Sequence, residues 1–222
     1  MLGLAAPTPY DLRFSLLGIP VRVHPLFWLI SAVMGWDRDL NLTLIWIACV
    51  FVSILVHEMG HALVARGFGW PPQVVLHAMG GFATFTPTWG YSMERSIAVS
   101  FAGPGAGFVL YGVVEAVLKL LTASGTTLNG YTAVTFAYLE FINLWWGLVN
   151  LLPVYPLDGG QISRELFGHW QGHRGLASSL QLSIITAIGV ALYAYSKGDE
   201  YVAVMFGVFA VYSYQSLTQE HL

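Results

Sequence analysis

Long apolar stretches alternate with short polar clusters along the whole of this 222-residue chain. A membrane-spanning helix needs about 20 consecutive apolar residues, because each residue adds about 1.5 Å and the hydrocarbon core of a bilayer is roughly 30 Å thick. The pattern predicts about six such helices, of which the first and the last are short for a full crossing. The predicted spans cover residues 24–36, 41–67, 95–122, 131–152, 176–195 and 200–217.

Two other stretches do not have the composition of helices. Residues 12–23 and 73–86 are rich in β-branched and aromatic residues around glycine, which is typical of short strands. The second stretch predicts a hairpin that turns near Gly80-Gly81. Because a strand exposed to lipid would leave its backbone groups unpaired, we expect both stretches at the membrane surface or against protein. The predicted fold class is an all-α membrane protein with a short β-strand and hairpin element.

The composition agrees with a protein of the lipid bilayer. Hydrophobic residues make up 56% of the chain and charged residues only 9%, whereas a soluble domain has about 25% charged residues. The net charge is −3 and no cluster of basic residues occurs, so nucleic acid is not indicated as a partner. The sequence has no repeat and no long linker, and we therefore predict a single transmembrane domain over residues 1–222.

The distribution of basic residues predicts the orientation in the membrane. With six crossings, the N-terminus, the 68–94 and 153–175 loops and the C-terminus share one side. That side has six arginines, and the other has three basic residues. Because loops rich in Lys and Arg stay in the cytoplasm, the N-terminus and the strand and hairpin element are predicted to be cytoplasmic. The six arginines are Arg13, Arg22, Arg66, Arg95, Arg164 and Arg174, and the three other residues are Arg38, Lys119 and Lys197.

A candidate metal-binding pattern lies inside the second predicted span, where residues 57–61 read His-Glu-Met-Gly-His. Residues four positions apart lie on one face of a helix, so the imidazoles of His57 and His61 can reach a single ion. Glu58 is rotated by about 100° from His57 and can act on a water molecule without binding the metal. Ionisable residues in an apolar segment cost several kcal/mol unless they are paired or functional, which favours a site here.

A catalytic zinc site needs a third protein ligand, and Asp158 is the candidate that the predicted topology favours. The 41–67 and 131–152 helices run in the same direction, and Asp158 follows the end of the second one. Pro153 and Pro156 end that helix, so the chain can bend back to the depth of His57. Glu140 lies nearer the opposite face. The other candidates are Glu165 and the pair His169 and His173, which we expect in a solvated polar loop.

Three separated motifs resemble those of the site-2 protease family of intramembrane zinc metallopeptidases. The first runs from Val56 to His61, and the second runs from Asn150 through Pro153 to Asp158-Gly159-Gly160. The third is Gly80-Gly81, followed by Phe101-Ala-Gly103-Pro104, which opens the next helix. The segment from Gly18 to Pro25 is also similar to the start of the family. The likeness covers residues 12–165, and residues 176–217 would form additional C-terminal helices.

The resemblance implies a set of roles for these residues. His57, His61 and Asp158 would bind Zn²⁺, Glu58 would be the catalytic base, and Asn150 would lie near the scissile carbonyl or its oxyanion. Neither the PDZ domain nor the CBS domains of some family members are expected within residues 1–222.

The function that the resemblance implies is regulated intramembrane proteolysis. The enzyme would hydrolyse peptide bonds within or near transmembrane segments of membrane proteins, such as an anti-sigma factor or a membrane-tethered regulator. It would be a multi-pass protein of the cell (inner) membrane, with its active site open to the cytoplasm. We expect the Gly80-Gly81 hairpin to accept the unwound substrate segment as an added strand.

Three alternative interpretations remain at this point. A membrane peptidase of the prenyl-protein type has the same His-Glu-x-x-His pattern, but its third ligand is a glutamate on a later helix, here Glu140 or Glu165. A metal transporter would need polar residues along a continuous path, whereas those of this chain cluster at one depth. A catalytically silent relative would keep the motifs without the reaction.

Overall fold

A computed structural model describes residues 6–78, 80–87 and 89–219. Five helical segments in these residues are long and apolar enough to cross a membrane, so the chain is an integral membrane protein, as its hydrophobic pattern predicts. The α-helices of the described residues are α1 Pro25–Met34, α2 Leu40–Gly67, α3 Met93–Ala123, α4 Gly130–Asn150, α5 Asp158–Gln171, α6 Gly175–Ser196 and α7 Glu200–Gln219. The strands are β1 Leu12–Leu16, β2 Ile19–Val23, β3 Pro72–His77 and β4 Gly80–Phe85.

The four strands form one sheet in the order β1-β2-β3-β4, which confirms both predicted strand regions. Pairing is antiparallel within each hairpin, but β2 and β3 are parallel, with Val21 opposite Val74. Alternate apolar side chains of β2 and β3 are buried together with Phe27 of α1 and with Ile54 and Met59 of α2. The sheet is therefore attached to the first two helices through an apolar core.

The first predicted span is the ten-residue helix α1, whose length of about 15 Å is half the thickness of a hydrocarbon core. The following helix, α2, has 28 residues and extends for about 42 Å. Because β2 precedes α1, β3 follows α2 and the two strands are paired, the start of α1 and the end of α2 lie at the same end of α2. Helix α1 therefore runs in the direction opposite to that of α2, as is expected of two successive spans.

Small residues allow α2, α3 and α4 to approach closely. A Cβ atom placed on Gly60 of α2 would lie 2.4 Å from the carbonyl oxygen of Ala102 in α3. A Cβ atom on Gly147 of α4 would lie 2.6 Å from the ring of Phe108. Pro104 lies inside α3, which begins at Met93, so the Phe101–Pro104 motif does not open this helix as the sequence predicts. Close approach of backbones is the usual role of small residues in membrane helices.

Contacts between residues divide the chain into two compact units. The first contains the residues up to Gly90 together with Ala102–Gly147, and the second contains Tyr91–Phe101 together with the chain from Leu148 onward. In the second unit, α6 and α7 form a hairpin whose buried core contains Val154, Ala187, Phe206 and Phe209.

The prediction of a polar loop over residues 153–175 is wrong. A short turn ends at Leu157, and residues from Asp158 to Gln171 form the amphipathic helix α5. Gly172, with a φ of +57°, separates α5 from a single 3₁₀ turn over Gly172–Arg174 that leads into α6. His169 consequently lies in α5 and His173 in the 3₁₀ turn, and neither is in an irregular loop.

A carboxylate at the start of the sheet joins two parts of the N-terminal hairpin. Asp11 accepts a hydrogen bond from the Thr8 hydroxyl at 2.7 Å and another from Arg22 at 3.0 Å. Its side chain is fully shielded from solvent, and that of Arg22 is 10% exposed. The Thr8 hydrogen bond, followed by the Thr8 backbone N–H and the Arg22 guanidinium, holds the pKa of Asp11 well below its usual range.

We therefore predict that Asp11→Asn lowers the stability of the folded protein at pH 7. The stability of this variant should also depend less on pH in acid than that of the wild type. The pKa of Asp11 is lower in the folded chain than its unfolded value of about 3.9, so its stabilisation is present above pH ~4 and is lost as the pH falls further. The difference between the melting temperatures of the two proteins in detergent should be largest at pH 7 and should become smaller as the pH falls below 4. Arg13→Gln is the control, because Arg13 is 62% exposed and 3.6 Å from the same carboxylate. A melting difference independent of pH would contradict the prediction.

Candidate metal centre

The two imidazoles of α2 converge inside the first unit. The Nε2 atoms of His57 and His61 lie 3.2 Å apart, and their rings are nearly perpendicular, at 77°. The side chains are only 3% and 6% exposed. Two nitrogens bound to a tetrahedral zinc ion at about 2.0–2.1 Å would lie about 3.4 Å apart. The separation of the two nitrogens therefore fits a shared divalent ion.

A glycine of α3 provides the space in which the His61 ring lies. A Cβ atom on Gly103 would lie 2.1 Å from Nε2 of His61 and 2.4 Å from Cε1, distances at which atoms overlap. The sequence indicates only that Gly103 permits close packing of helices, and its contact with a candidate ligand is a finding of the structure. The Phe-Ala-Gly-Pro motif is the signal in the sequence that marks this position.

The side chain of Glu58 in α2 lies against β4, the last strand of the sheet. Its side chain is 4% exposed, and a Cβ atom on Gly81 of β4 would lie 2.6 Å from its Cγ and 2.7 Å from its Oε1. Gly81 thus brings the strand backbone against the carboxylate. The neighbouring Gly80 has a φ of +113°, a conformation that favours glycine, and its Cα faces Trp146 of α4.

The two remaining predicted site residues belong to the second unit. Asn150 is the last residue of α4 and is 8% exposed. Asp158 is the first residue of α5 and follows Leu157, whose backbone is still extended. The glycines after Asp158 allow α5 to begin directly against the preceding turn. A Cβ atom on Gly159 would lie 2.2 Å from the Leu151 carbonyl oxygen.

The alternative candidates for the third ligand, Glu165 and Glu140, are surrounded by other residues. The carboxylate of Glu165 accepts hydrogen bonds from the hydroxyl groups of Tyr91 and Ser96 in the second unit. Glu140 lies one turn before Asn143, which donates a hydrogen bond to Ser53 at 2.9 Å. Because Ser53 is itself a turn before His57, Glu140 lies about 10 Å from the level of the imidazoles along the helix axes. Among the described residues, Oε1 of Glu140 is buried without a hydrogen-bond partner.

Known proteins are similar to this chain in sequence and in fold. The model of a family described as Peptidase family M50 matches residues 117–196. A zinc metalloprotease of Methanocaldococcus jannaschii is 30% identical over 169 residues, which are 74% of this chain and 48% of that protein. Stage IV sporulation protein FB of Bacillus subtilis is 30% identical over 150 residues, which are 67% of this chain and 48% of that protein.

A solved structure has the same fold over almost its whole length. The site-2 protease from Methanocaldococcus jannaschii matches with a TM-score of 0.64 over 94% of this chain and 95% of that chain, at 24% sequence identity. The chain spans about half the length of the two relatives above. In sequence this chain is therefore similar to members of peptidase family M50, and the solved structure shows that it has the fold of a site-2 protease.

Proposed function

We propose that this protein is an intramembrane zinc metalloprotease that hydrolyses peptide bonds within or near transmembrane segments of other membrane proteins. The observation that carries the proposal is the pair of buried imidazole nitrogens, 3.2 Å apart in a membrane-length helix, with the buried Glu58 beside them in sequence. Ionisable groups are kept in such surroundings when they bind an ion or carry out a reaction. The zinc metalloprotease related to this chain supports the choice of metal and reaction.

Zinc would be held by His57, His61 and Asp158, a set of three protein ligands that leaves the fourth position for water or substrate. Two neutral imidazoles and one carboxylate leave the bound ion with a net charge of about +1. When bound, zinc acts as a Lewis acid on the scissile carbonyl and lowers the pKa of the attacking water towards about 7. Gly103 is required because a larger residue would displace the His61 ring.

Glu58 is the general base of the proposed reaction. Its carboxylate takes a proton from the attacking water and then delivers it to the nitrogen of the leaving amine. Burial and the contact with Gly81 restrict its side chain, which keeps the carboxylate in place for both transfers. We assign to Asn150 a hydrogen bond from its side-chain amide to the oxyanion that develops on the scissile carbonyl.

The substrate segment would bind as an extended strand beside β4. The peptide groups of a transmembrane helix are hydrogen-bonded within the helix, so the segment must unwind before it is attacked. β4 lies at an edge of the sheet, and its Gly81 contacts the catalytic base. An added strand at this edge would replace the lost hydrogen bonds next to Glu58.

The proposed location is the cell (inner) membrane, with the N-terminus, the sheet and the active-site opening towards the cytoplasm. The excess of arginine on that side supports this orientation. The substrate class that we propose is a membrane-tethered regulatory protein, such as an anti-sigma factor.

The proposed orientation can be tested by tagging the two termini and measuring their protection from protease in membrane vesicles. The N-terminus should be protected in right-side-out vesicles.

Glu58→Gln should retain zinc and lose proteolysis. The glutamine has the same shape but cannot take the proton, and removal of a general base lowers a rate by roughly 10²–10⁴-fold. Zinc content of the purified protein and cleavage of a model transmembrane substrate check this result. Asn150→Ala should show the same pattern with a smaller loss of rate. Substantial cleavage by Glu58→Gln would remove the base from the mechanism.

Asp158→Ala should lose both zinc and activity, because two imidazoles alone bind the ion weakly. Glu140→Gln and Glu165→Gln are the matched controls, and each should keep the stoichiometric zinc of the wild type. This comparison separates the proposed ligand set from that of a prenyl-protein-type peptidase. If Asp158→Ala retained zinc and one of the glutamine variants lost it, the third ligand would be that glutamate and not Asp158.

Proline substitutions along the substrate should inhibit cleavage with a period of two residues. A strand added to β4 donates backbone N–H groups to the sheet edge at alternate positions, and proline removes the donor. Cleavage rates of a series of single-proline substrates provide the measurement. Equal cleavage of all of them would exclude strand addition while leaving the metal site unaffected.

A further inference from the structure

Two buried serines of the C-terminal helices contact the backbone three and five residues before Asp158. Ser183 of α6 is 1% exposed and Ser213 of α7 is fully buried. The hydroxyl of Ser183 accepts a hydrogen bond from the Tyr155 N–H at 3.1 Å and donates one to the Pro153 carbonyl at 3.2 Å. The hydroxyl of Ser213 donates to the Tyr155 carbonyl at 3.3 Å. Both polar groups of the Tyr155 backbone are therefore held by side chains of helices that follow Asp158 in the chain.

Apolar contacts of Val154 also hold the segment before Asp158 in place. Val154 is fully buried in the core that α6 and α7 form with Phe206 and Phe209. A Cβ atom on Gly160 would lie 2.6 Å from the Tyr155 nitrogen, so the first turn of α5 lies against the held segment. A displacement of Val154 or Tyr155 would therefore be transmitted to the start of α5.

The connection from Tyr155 to Asp158 is short and closed by a hydrogen bond. The Leu157 N–H donates to the Val154 carbonyl at 2.8 Å, which makes residues 154–157 a tight turn. The Gln161 N–H then donates to the Leu157 carbonyl at 3.1 Å, which is the first bond of α5. Asp158 thus follows the hydrogen-bonded turn directly and lies within the first hydrogen-bonded turn of α5.

We infer that Ser183 and Ser213 are positioning residues that hold the carboxylate of Asp158 in its metal-binding location. The inference rests on the proposed function, in which Asp158 is a zinc ligand. It gives the C-terminal hairpin of α6 and α7 a part in the metal site, although neither helix supplies a ligand. Residues that orient a ligand commonly change metal affinity by 10–100-fold when they are mutated.

The chain offers a matched control in Ser179, on the same helix. Ser179 is 2% exposed, but its hydroxyl donates to the carbonyl of Leu176 within α6 and not to the turn. Ser179→Ala therefore removes an equally buried hydroxyl without releasing the segment before Asp158. Ser183→Thr retains the hydroxyl, and Ser183 lines a cavity of about 180 Å³ together with Ser179 and Tyr155.

The experiment measures the zinc affinity of full-length protein in detergent by competition with a chelator. Ser183→Ala and Ser213→Ala should each weaken zinc binding about tenfold, and Ser179→Ala and Ser183→Thr should bind as the wild type does. Zinc should also raise the melting temperature of the two alanine variants less than that of the wild type. A purely structural role would instead lower the melting temperatures of the metal-free and the zinc-loaded protein equally.

Hydrogen exchange of the metal-free protein provides a second measurement. The Tyr155 amide should exchange faster in Ser183→Ala, because it loses its acceptor, and at the wild-type rate in Ser179→Ala. If Ser183→Ala does not fold, Ser213→Ala is the informative variant, since it removes a single hydrogen bond to a carbonyl oxygen.

Asp158→Ala distinguishes a failure of the positioning role from a failure of the proposed ligand set. Loss of zinc from Asp158→Ala, with unchanged affinity in both serine variants, would overturn the positioning role alone. Wild-type zinc affinity in Asp158→Ala would overturn the ligand set and the positioning role together.

Discussion

The cost of removing ionisable groups from water is the constraint on which this protein is built. His57, Glu58 and His61 lie within five residues of a membrane-length helix, and each is at least 94% buried. In such surroundings an uncompensated charge costs several kcal/mol, so the three groups need partners or an ion. In the proposed site a shared cation would remove most of this cost, because it would accept the nitrogen lone pairs and balance the carboxylate. The proposed reactive centre and the stability of the helices around it would thus depend on the same electrostatic balance.

Glycines determine how closely the backbone approaches the functional side chains. Gly103 adjoins the His61 ring, Gly81 adjoins the Glu58 carboxylate, and Gly160 adjoins the Tyr155 backbone. At each of these positions even one methyl group would overlap with its neighbour, because protein interiors are packed as densely as organic crystals. At the proposed site the orientation of the side chains is therefore limited largely by neighbouring backbone atoms. This rigidity suits a site in which proton transfer depends on small distances.

The features that the sequence predicts correctly are those that local patterns encode. The membrane helices follow from apolar runs of sufficient length, and the strands at residues 12–23 and 73–86 follow from β-branched residues around glycine. Helix α5 is missed because two glycines follow Asp158 and the segment is polar, which together resemble a loop more than a helix. The parallel pairing of β2 with β3 joins residues about 50 positions apart, and no local pattern indicates it. The contacts of Ser183 and Ser213 are equally hidden, since single hydroxyls on apolar helices have no characteristic spacing.

The parallel pairing of β2 with β3 has a consequence for biosynthesis. β1 and β2 leave the ribosome before α1 and α2, but β2 finds its partner only after both helices and β3 have been made. During this interval the hydrogen-bonding edge of β2 has no partner strand, and such edges promote association with other chains. Closure of the sheet then fastens the two ends of the α1–α2 helical hairpin to each other. The small sheet can therefore be completed only after both helices of this hairpin have been synthesised.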